Sequence, residues 1–423
     1  KKYHYIGRKA DMLDRQIYEK YVEVLKKELV TAMGCTEPIS IAYAGAKARS
    51  VLGTLPDKIE VYASGNIIKN VKSVIVPHTG GLCGIANAVV AGVCMGREDN
   101  ALEVLSDVSK EDIARMERYL KMTDVTVRHM RCDNAFDLKV VVRKGNDSAE
   151  VHIVNSHTNI TEIFRNGKCI FRGGNVERSE DRSWMNVEDI VRFADNADLN
   201  DVSEVLDRQI RYNMAIAEEG LAHNYGANIG KVLLQMSDDV NTRCKAYASA
   251  ASDARMNGCE MPVVINSGSG NQGITASVPV IVYARNKQCD KDRLYRALCV
   301  SNLVTVHLKT GIGTLSAYCG AVSAGAGAGA GIAYLNGGGF VEIAHTIVNT
   351  LAIDSGIICD GAKASCAGKI AAAVESGLLG LNMYYSGNQF VGGDGIVTKG
   401  VENTIRNIGR LASKGMKQTD DEI

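Results

Sequence analysis

Residues 319–332 read CGAVSAGAGAGAGI, and this alternation of glycine and alanine constrains the fold more than any other stretch of the chain. Each glycine inside a solvent-exposed helix costs up to about 1 kcal/mol relative to alanine, so an exposed helix would not keep this pattern. Small side chains become useful where another helix or a cofactor lies directly against the backbone. The stretch therefore predicts a crowded, buried segment, and the residues alone leave open which of these two neighbours crowds it.

Upstream of residue 173 the sequence predicts an α+β domain. Alternating apolar and polar positions indicate half-buried strands. The predicted strands are residues 58–62, 125–130, 138–142, 150–154 and 161–164. Polar turn residues at 144–147 and 166–167 would join neighbouring strands as hairpins, and helices are predicted at 84–96 and 110–121.

Downstream of the polar residues 173–183 the pattern changes to long helical periodicity with few strand candidates. The predicted helices are residues 187–222, 226–236 and 244–257. A chain of 423 residues is also too long for one ordinary core. We therefore expect an α+β N-terminal domain, residues 1–190, followed by a mostly α-helical domain, residues 191–423, in which no strand is expected.

Composition and charge exclude several classes of protein. Hydrophobic residues make up 46% of the chain and charged residues 23%, the balance of a globular protein. Lys plus Arg and Asp plus Glu number 48 each, so no net charge attracts nucleic acid. The apolar residues 323–335 are too few to span a bilayer, and the charged N-terminal residues carry no export signal. We expect neither nucleic acid nor a membrane as partner.

The twelve cysteines indicate a reducing compartment. A long chain without a signal peptide does not depend on a disulfide framework, so we expect free thiols and a cytoplasmic location. Most free cysteines act as small hydrophobic residues. This structural role is assigned to Cys94, Cys169, Cys244, Cys289 and Cys299.

Two other thiols, Cys359 and Cys366, lie seven residues apart in the sequence CDGAKASC. On one continuous helix their Cα atoms would be roughly 10 Å apart, which is awkward for two ligands of one compact metal centre. We therefore expect Cys359 just outside the helix, with the bend at Gly361. The spacing matches neither paired zinc motifs nor short ferredoxin motifs, so alone it is a weak indication of metal.

A glycine-rich segment at residues 266–274 follows four apolar residues and precedes a helical run. Backbone N–H groups at such a helix start can bind a carboxylate or a phosphate. An amino-acid carboxylate is one suitable ligand, and a plain connector is the alternative reading. The predicted substrate-binding residues are Ser267, Gly268, Ser269, Gly270 and Asn271. The segment does not match the full dinucleotide-binding motif in a βαβ setting.

Cys35 lies at the junction of two predicted helices. The first is an amphipathic helix at residues 18–33, closed by Gly34, and the second is a small-residue helix at 39–51. Thr36 supplies a capping hydroxyl between them. The positive end of the second helix dipole would favour a thiolate at Cys35.

The neighbours of Cys35 supply further candidates. Glu37 would oppose ionisation of the thiol, and it is also a candidate catalytic carboxylate; Thr36 is a candidate substrate-binding residue. His78 is a secondary catalytic candidate. His78 and His223 are lone histidines, and such residues are more often structural than catalytic.

Three segments, taken together and in this order, resemble the L-cysteine desulfidase family: residues 34–38 (GCTEP), 319–325 (CGAVSAG) and 359–366 (CDGAKASC). That family is related to the iron-sulfur L-serine dehydratases, whose alpha-chain domain the second half of the chain resembles. The resemblance implies that Cys319, Cys359 and Cys366 hold a 4Fe-4S cluster and that Cys35 is the reactive thiol. It also implies that the mostly α-helical domain is catalytic.

By the same resemblance, the expected reaction converts L-cysteine to pyruvate, ammonia and sulfide. Three thiolates on four irons leave one iron open to the substrate, as in a Lewis-acid site. Cys35 is then the leading candidate for the base that removes the α-proton. L-Serine is the alternative substrate at the same site, and a non-catalytic iron-sulfur sensor is the alternative from another class. The helices rich in glycine and alanine would also suit a homodimer.

Overall fold

The structure of the chain is a computed structural model that describes residues 13–132, 134–173, 181–313 and 315–423. Its strands are β1 Thr31–Met33, β2 Lys58–Ala63, β3 Asp124–His129, β4 Asp137–Lys144, β5 Asp147–Val154, β6 Ile160–Arg165, β7 Lys168–Arg172 and β8 Pro262–Val264. Its α-helices are α1 Arg15–Glu28, α2 Thr36–Leu52, α3 Gly65–Val71, α4 Ile85–Met95, α5 Lys110–Leu120, α6 Val187–Asn196, α7 Ser203–Ala222, α8 Ile229–Met236, α9 Val240–Met256, α10 Gly270–Asn286, α11 Lys291–Ile312, α12 Gly320–Leu335, α13 Phe340–Asp354, α14 Cys366–Tyr385, α15 Val401–Arg410 and α16 Lys417–Glu422. None of the described helices is long and apolar enough to cross a membrane.

Six strands form one mixed sheet in the order β3-β2-β4-β5-β6-β7. β2 and β3 are parallel, and the other neighbours are antiparallel. Both predicted hairpins are present, with positive φ angles at Gly145 and Asn166 in their turns, as tight hairpin turns require. The five predicted strands are confirmed, and β7 adds an edge strand after the second turn.

α2 and α4 pair closely, and α2 also contacts β4 and β5 of the sheet. Gly92 of α4 lies so near α2 that a Cβ atom there would be 2.5 Å from the carbonyl carbon of Ala42. Such an approach requires glycine. This packing fixes α2, and with it the position of Cys35 at its N-terminus.

α12 lies among α10, α11, α13 and α14 in the helical part of the chain. A Cβ atom at Gly325 would overlap the carbonyl group of Ala373 in α14. One at Gly327 would lie 2.5 Å from the carbonyl oxygen of Ser301 in α11. The crowding predicted for residues 319–332 is therefore confirmed, and neighbouring helices cause it. The mostly helical region that follows the sheet confirms the predicted fold class.

Three predictions about secondary structure are wrong. The helix predicted at residues 187–222 is broken into α6, Val187–Asn196, and α7, Ser203–Ala222. The helix predicted at residues 18–33 ends at Glu28, and Thr31–Met33 forms β1. β1 pairs antiparallel with β8, so the second half of the chain is not all-helical. Local periodicity could not show this pairing because the two strands are distant in sequence. The β-branched side chain of Thr31 favours the extended conformation.

The buried hydrophobic residues form two large clusters. One is drawn from residues 39–163, and the other from residues 21–32 and 185–416, so that α1 packs with the helical part. Of the polar residues 173–183, at which the predicted change of pattern falls, residues 174–180 lie outside the described part of the chain. The cavity described next lies between side chains of the two parts.

Candidate active site

A buried cavity of about 100 Å³ collects most of the residues that the sequence singled out. The N-terminal part of the chain contributes Cys35, Glu37, Asn70 and His157. Side chains and backbone from the helical part include Arg255, Ser267, Gly268, Ser269, Asn271, Gln272, Lys309, Tyr318, Cys319, Cys359, Cys366 and Lys369. Four cysteines from three separate segments therefore face one small space.

Backbone pairing brings Cys319 and Cys359 together. The N–H of Cys359 donates to the carbonyl of Ala317 at 2.6 Å, and the N–H of Cys319 donates to the carbonyl of Ile357 at 3.1 Å. Cys319 is the N-cap residue of α12. The two thiols therefore lie on adjacent loops.

Cys366 reaches the cavity from the first turn of α14, and Cys359 precedes that helix. Gly361 lies between them with φ +102°, a conformation that L side chains rarely adopt. A Cβ atom at Gly361 would overlap the carbonyl oxygen of Lys69. The chain thus bends at Gly361 and leaves Cys359 outside the helix, as predicted from the seven-residue spacing.

Burial makes two of these thiols, Cys319 and Cys366, difficult to ionise. Burial, followed by the neighbouring Cys359, raises the pKa of Cys319 to about 12. Burial also raises the pKa of Cys366. Lys309 is buried nearby, and burial lowers the pKa of its ammonium to about 8. Several adjacent thiolates need cationic charge for compensation, and the irons of a cluster would supply it.

The donor atoms of these thiols are sulfur, which binds both zinc and the irons of a cluster. In the described part of the chain, no three His, Cys, Asp or Glu side chains are grouped as ligands of one metal ion. A single zinc ion holds its sulfur ligands at about 2.3 Å. A 4Fe-4S cluster needs its thiolate ligands farther apart, because each thiolate binds a different iron. Three soft sulfur donors around one cavity fit the donor chemistry of such a cluster.

Cys35 is held as a thiol in this environment. Its Sγ atom donates a hydrogen bond to Oε2 of Glu37 at 3.0 Å. Burial, followed by the charge of Glu37, raises the pKa of Cys35 well above its ordinary value. The prediction that the dipole of α2 makes Cys35 a thiolate therefore fails, because burial and Glu37 outweigh the dipole.

Glu37 is an ionised hydrogen-bond acceptor. Asn70 Nδ2 donates to its Oε1 at 2.9 Å, and the hydroxyl of Thr36 lies 3.1 Å from its Oε2. Burial alone would raise the pKa of Glu37, but nearby His157 and the Cys35 thiol bring it below its ordinary value. Both pKa shifts therefore keep the proton on Cys35, and the carboxylate accepts the hydrogen bond.

The glycine-rich turn lies against Thr36. The Thr36 hydroxyl is 3.1 Å from the carbonyl oxygen of Gly268, so this side chain bonds within the protein and does not line the cavity. Ser267 and Gly268 have positive φ angles, +49° and +77°. Ser269 occupies the N-cap position of α10 without a capping hydrogen bond from its side chain, and the first-turn N–H groups have no acceptor within the helix. Of the five predicted residues of this segment, all but Gly270 line the cavity.

The two histidines noted in the sequence lie elsewhere. His78 has Nδ1 at 3.3 Å from Oε2 of Glu260, and its backbone N–H donates to the same carboxylate. His223 pairs with Glu219 at 2.9 Å. The histidine that does line the cavity is His157.

His157 and Arg255 were not identified from the sequence. His157 lies in the turn between β5 and β6, with its ring packed edge-on against Phe136 at 4.8 Å between centroids, and burial lowers its pKa. Nothing local distinguishes this histidine from others. Arg255 lies near the C-terminal end of α9, directly after a run of mostly small residues that also contains Asp253. A charged residue beside such a run could have been recognised as a site candidate, because small residues indicate burial.

A wider cleft of about 1670 Å³ adjoins the cavity. Both are lined by His157, Lys309 and residues of the glycine-rich turn. These residues therefore stand between the inner cavity and the outer cleft, through which a small molecule would arrive.

Comparison with known proteins places the chain within a family. Residues 99–423 match the family described as serine dehydratase alpha chain. A UPF0597 protein of Desulfitobacterium hafniense is 56% identical over 411 residues, which are 96% of each chain. UPF0597 proteins of Lachnoclostridium phytofermentans and Treponema denticola are 47% and 45% identical, over 96% and 97% of this chain and 99% and 98% of theirs.

Proposed function

The chain belongs to the serine dehydratase alpha chain family and has UPF0597 proteins as full-length relatives, and from this premise we propose that it is a 4Fe-4S-dependent lyase acting on L-cysteine. The products would be pyruvate, ammonia and sulfide. The observation that carries the proposal is that Cys35 faces the same buried cavity as Cys319, Cys359 and Cys366. One thiol is thus available for proton transfer beside three that can bind metal.

Cys319, Cys359 and Cys366 would hold the cluster. When bound, a cluster held by three thiolates supplies one iron as a Lewis acid, which polarises the substrate sulfur as a leaving group. The donor chemistry supports this assignment, because the three thiols are free and near one another. Lys309 and Lys369 line the same cavity and add positive charge at its wall.

Cys35 would remove the α-proton. Its proton must first move to Glu37, the acceptor in direct contact at 3.0 Å. The pKa shifts of the two groups make this transfer uphill, so the thiolate would form only transiently, before it takes the α-proton. A thiol with a raised pKa gives a more basic thiolate, which suits removal of a weakly acidic C–H proton. Glu37, held by Asn70, would therefore both store the proton and orient the thiol.

The glycine-rich turn would orient the substrate. The N-terminus of α10 faces the cavity with Ser269 and Asn271, and free N–H groups there favour a carboxylate. Fixing the carboxylate would direct the α-hydrogen towards Cys35. Elimination of sulfide gives 2-aminoacrylate, and addition of one water releases pyruvate and ammonia. The balance is L-cysteine plus water to pyruvate, ammonia and hydrogen sulfide.

L-Serine is the second candidate substrate, and the family description favours it. The reaction would be the same elimination, with water in place of sulfide as the leaving molecule. The sulfur of cysteine is the better ligand for iron, which is why L-cysteine is placed first.

The cellular setting forms part of the proposal. The twelve cysteines are all free, which supports a reducing compartment such as the cytoplasm. A homodimer is supported by apolar side chains exposed on neighbouring helices, such as Val341 of α13 and Leu379 of α14. Sedimentation of the purified protein would measure its assembly.

The deciding experiment is an anaerobic assay of the purified, iron-reconstituted protein. L-Cysteine and L-serine are supplied separately, and sulfide and pyruvate are measured. Sulfide and pyruvate in equal amounts from L-cysteine support the proposal. Pyruvate from L-serine alone would transfer the assignment to serine dehydration. Iron without turnover of either amino acid would indicate a sensor.

A further inference from the structure

Arg255 carries a buried positive charge for which the described residues provide no hydrogen-bonded carboxylate. The residue is 4% exposed. Its Nη1 donates to Oδ1 of Asn271 at 3.1 Å, and its Nε, though buried, has no hydrogen-bond partner among the described residues. A buried guanidinium in this state is unfavourable unless a ligand completes its bonding.

The guanidinium lies directly on the N-terminus of α10. A Cβ atom at Gly270, the first residue of that helix, would be 2.6 Å from Cζ of Arg255. Glycine at this position therefore allows the arginine to lie beside the free N–H groups of the first turn. Two features that attract anions, a guanidinium and a helix N-terminus, meet at one wall of the cavity.

Glu37 does not fill the role of counter-ion by direct bonding. Its oxygens accept hydrogen bonds from the Cys35 thiol and the Asn70 amide and lie near the Thr36 hydroxyl. In the described part of the chain none of its hydrogen bonds comes from Arg255. The unpaired N–H of the guanidinium is thus available to a ligand in the cavity.

Two unpaired acceptors complement this anion-binding wall. Oε1 of Gln272 and Oδ1 of Asn70 are buried without a hydrogen-bond partner among the described residues, in side chains 6% and 7% exposed. Both residues line the cavity. The ammonium group of an amino acid would donate to these unpaired acceptors, and its carboxylate would pair with the buried cation.

We propose that Arg255, with the first turn of α10, binds the free α-carboxylate of the substrate, and that Gln272 and Asn70 accept hydrogen bonds from its α-ammonium. The inference rests on the proposed function for the class of substrate, and it adds the residue that selects a free amino acid. Amides and esters of cysteine, and cysteine whose carboxyl group forms a peptide bond, lack the carboxylate that pairs with Arg255, and these compounds are rejected.

Binding is measured by calorimetry with full-length protein and three unreactive probes: L-alanine, L-alaninamide and propionate. L-Alanine has no leaving group, so binding is separate from turnover. Wild type binds L-alanine on the order of 10- to 100-fold more tightly than L-alaninamide, the range for a charged hydrogen bond. Arg255→Gln removes this preference, and Arg255→Lys retains part of it. Propionate binds more weakly than L-alanine because it lacks the ammonium group.

Arg296→Gln is the matched control, since Arg296 donates to the backbone carbonyls of Ala194 and Asp195. It keeps the preference for L-alanine. If Arg255→Gln does not fold, Gly270→Ala provides the second test of the proposal, because the added methyl group at residue 270 displaces the guanidinium of Arg255. Weaker L-alanine binding by folded Gly270→Ala supports the proposal.

A preference for L-alanine that survives in Arg255→Gln, or L-alanine binding unchanged in Gly270→Ala, overturns the assignment of the carboxylate. Equal binding of propionate and L-alanine overturns the assignment of the ammonium. A failure of the proposed function shows differently: neither sulfide nor pyruvate is released from L-cysteine, while the binding of L-alanine still reports on Arg255.

Discussion

The thiol of Cys35 and the carboxylate of Glu37 form a hydrogen-bonded pair, with Sγ 3.0 Å from Oε2, in a buried cavity. The two residues occupy the N-cap and the second position of α2, so one helix start provides both. The thiol is the donor because Glu37 is ionised and can only accept. The hydrogen bond gives the proton a direct path to Glu37, and the pKa shifts of both groups keep it on Cys35 at rest.

Glu37→Gln tests the influence of the carboxylate on the thiol. Burial is the largest cause of the raised pKa of Cys35, and the charge of Glu37 is the second. Removing that charge lowers the pKa of Cys35 but leaves it above the ordinary value. Alkylation of Cys35 by iodoacetamide, followed by peptide mass spectrometry from pH 7 to about pH 10, is expected to accelerate at each pH. Glu260→Gln, which alters the partner of His78 outside the cavity, should leave the rate unchanged.

Removal of a cluster-binding thiol should differ from removal of the proposed base. Cys359→Ser removes one of three anchors, so the protein should lose both iron and lyase activity. Cys35→Ser should keep its iron and lose turnover, because a hydroxyl is far harder to ionise than a thiol. Iron analysis and sulfide release measure the two effects separately. Loss of iron from Cys35→Ser would make Cys35 a ligand, and full activity in that variant would transfer the role of base to another residue, with His157 the nearest candidate in the cavity.

Oxygen sensitivity provides a third test. Protein prepared and reconstituted without oxygen should be brown and contain iron and inorganic sulfide. Exposure to air should bleach it, because an iron that lacks a thiolate is open to attack. The absorbance change and the iron content are measured on the same sample. Colourless protein without iron after anaerobic reconstitution contradicts the cluster assignment.

Predictions from the sequence were correct where the structure depends on residues close together in the chain. Hairpin turns, alternating strands and the small residues of α12 all report nearest-neighbour constraints, and the structure agrees with them. Gly361 could likewise be assigned as a bend from the spacing of two cysteines. The pairing of β1 with β8 depends on contacts between distant segments, so no local pattern revealed it.

The same limit explains which site residues were found. Cys319 and the other thiols stand out by residue type and motif, whereas His157 reaches the cavity only because β5 and β6 turn beside α2. Arg255 was detectable in principle, as a charge in a small-residue helix. The ionisation state of Cys35 could not be predicted, because it depends on burial that the sequence does not specify.

Asp420 ties the C-terminal helix to the loop before Cys319. Its carboxylate accepts from Nζ of Lys69 at 2.6 Å and from the N–H of Ala317 at 3.0 Å. Lys69 is almost fully buried, and Ala317 itself accepts from the N–H of Cys359. Asp420→Asn should therefore reduce stability by about 1–3 kcal/mol, the range for hydrogen bonds to charged groups.

The same Asp420→Asn variant should release iron to a chelator faster than wild type, because the loop before Cys319, and through Ala317 the adjacent loop of Cys359, is less firmly held. Thermal unfolding and the rate of iron loss are the two measurements. Asp421→Asn removes the neighbouring, exposed carboxylate and is the control. Equal behaviour of the two variants would show that the contacts of Asp420 do not hold the loop.

The glycines of α12 provide a test that depends on packing alone. A Cβ atom at Gly327 would lie 2.5 Å from the carbonyl oxygen of Ser301, and backbone atoms there cannot move aside cheaply. Gly327→Ala should therefore lower the free energy of unfolding by about 1–3 kcal/mol, although alanine is the better helix former. Gly368→Ala in α14 is the matched control, since a Cβ atom there meets nothing within 4 Å. That variant should be as stable as wild type or up to about 1 kcal/mol more stable. Urea unfolding followed by circular dichroism compares the two, and a Gly327→Ala protein as stable as Gly368→Ala would show that α11 and α12 can separate without loss.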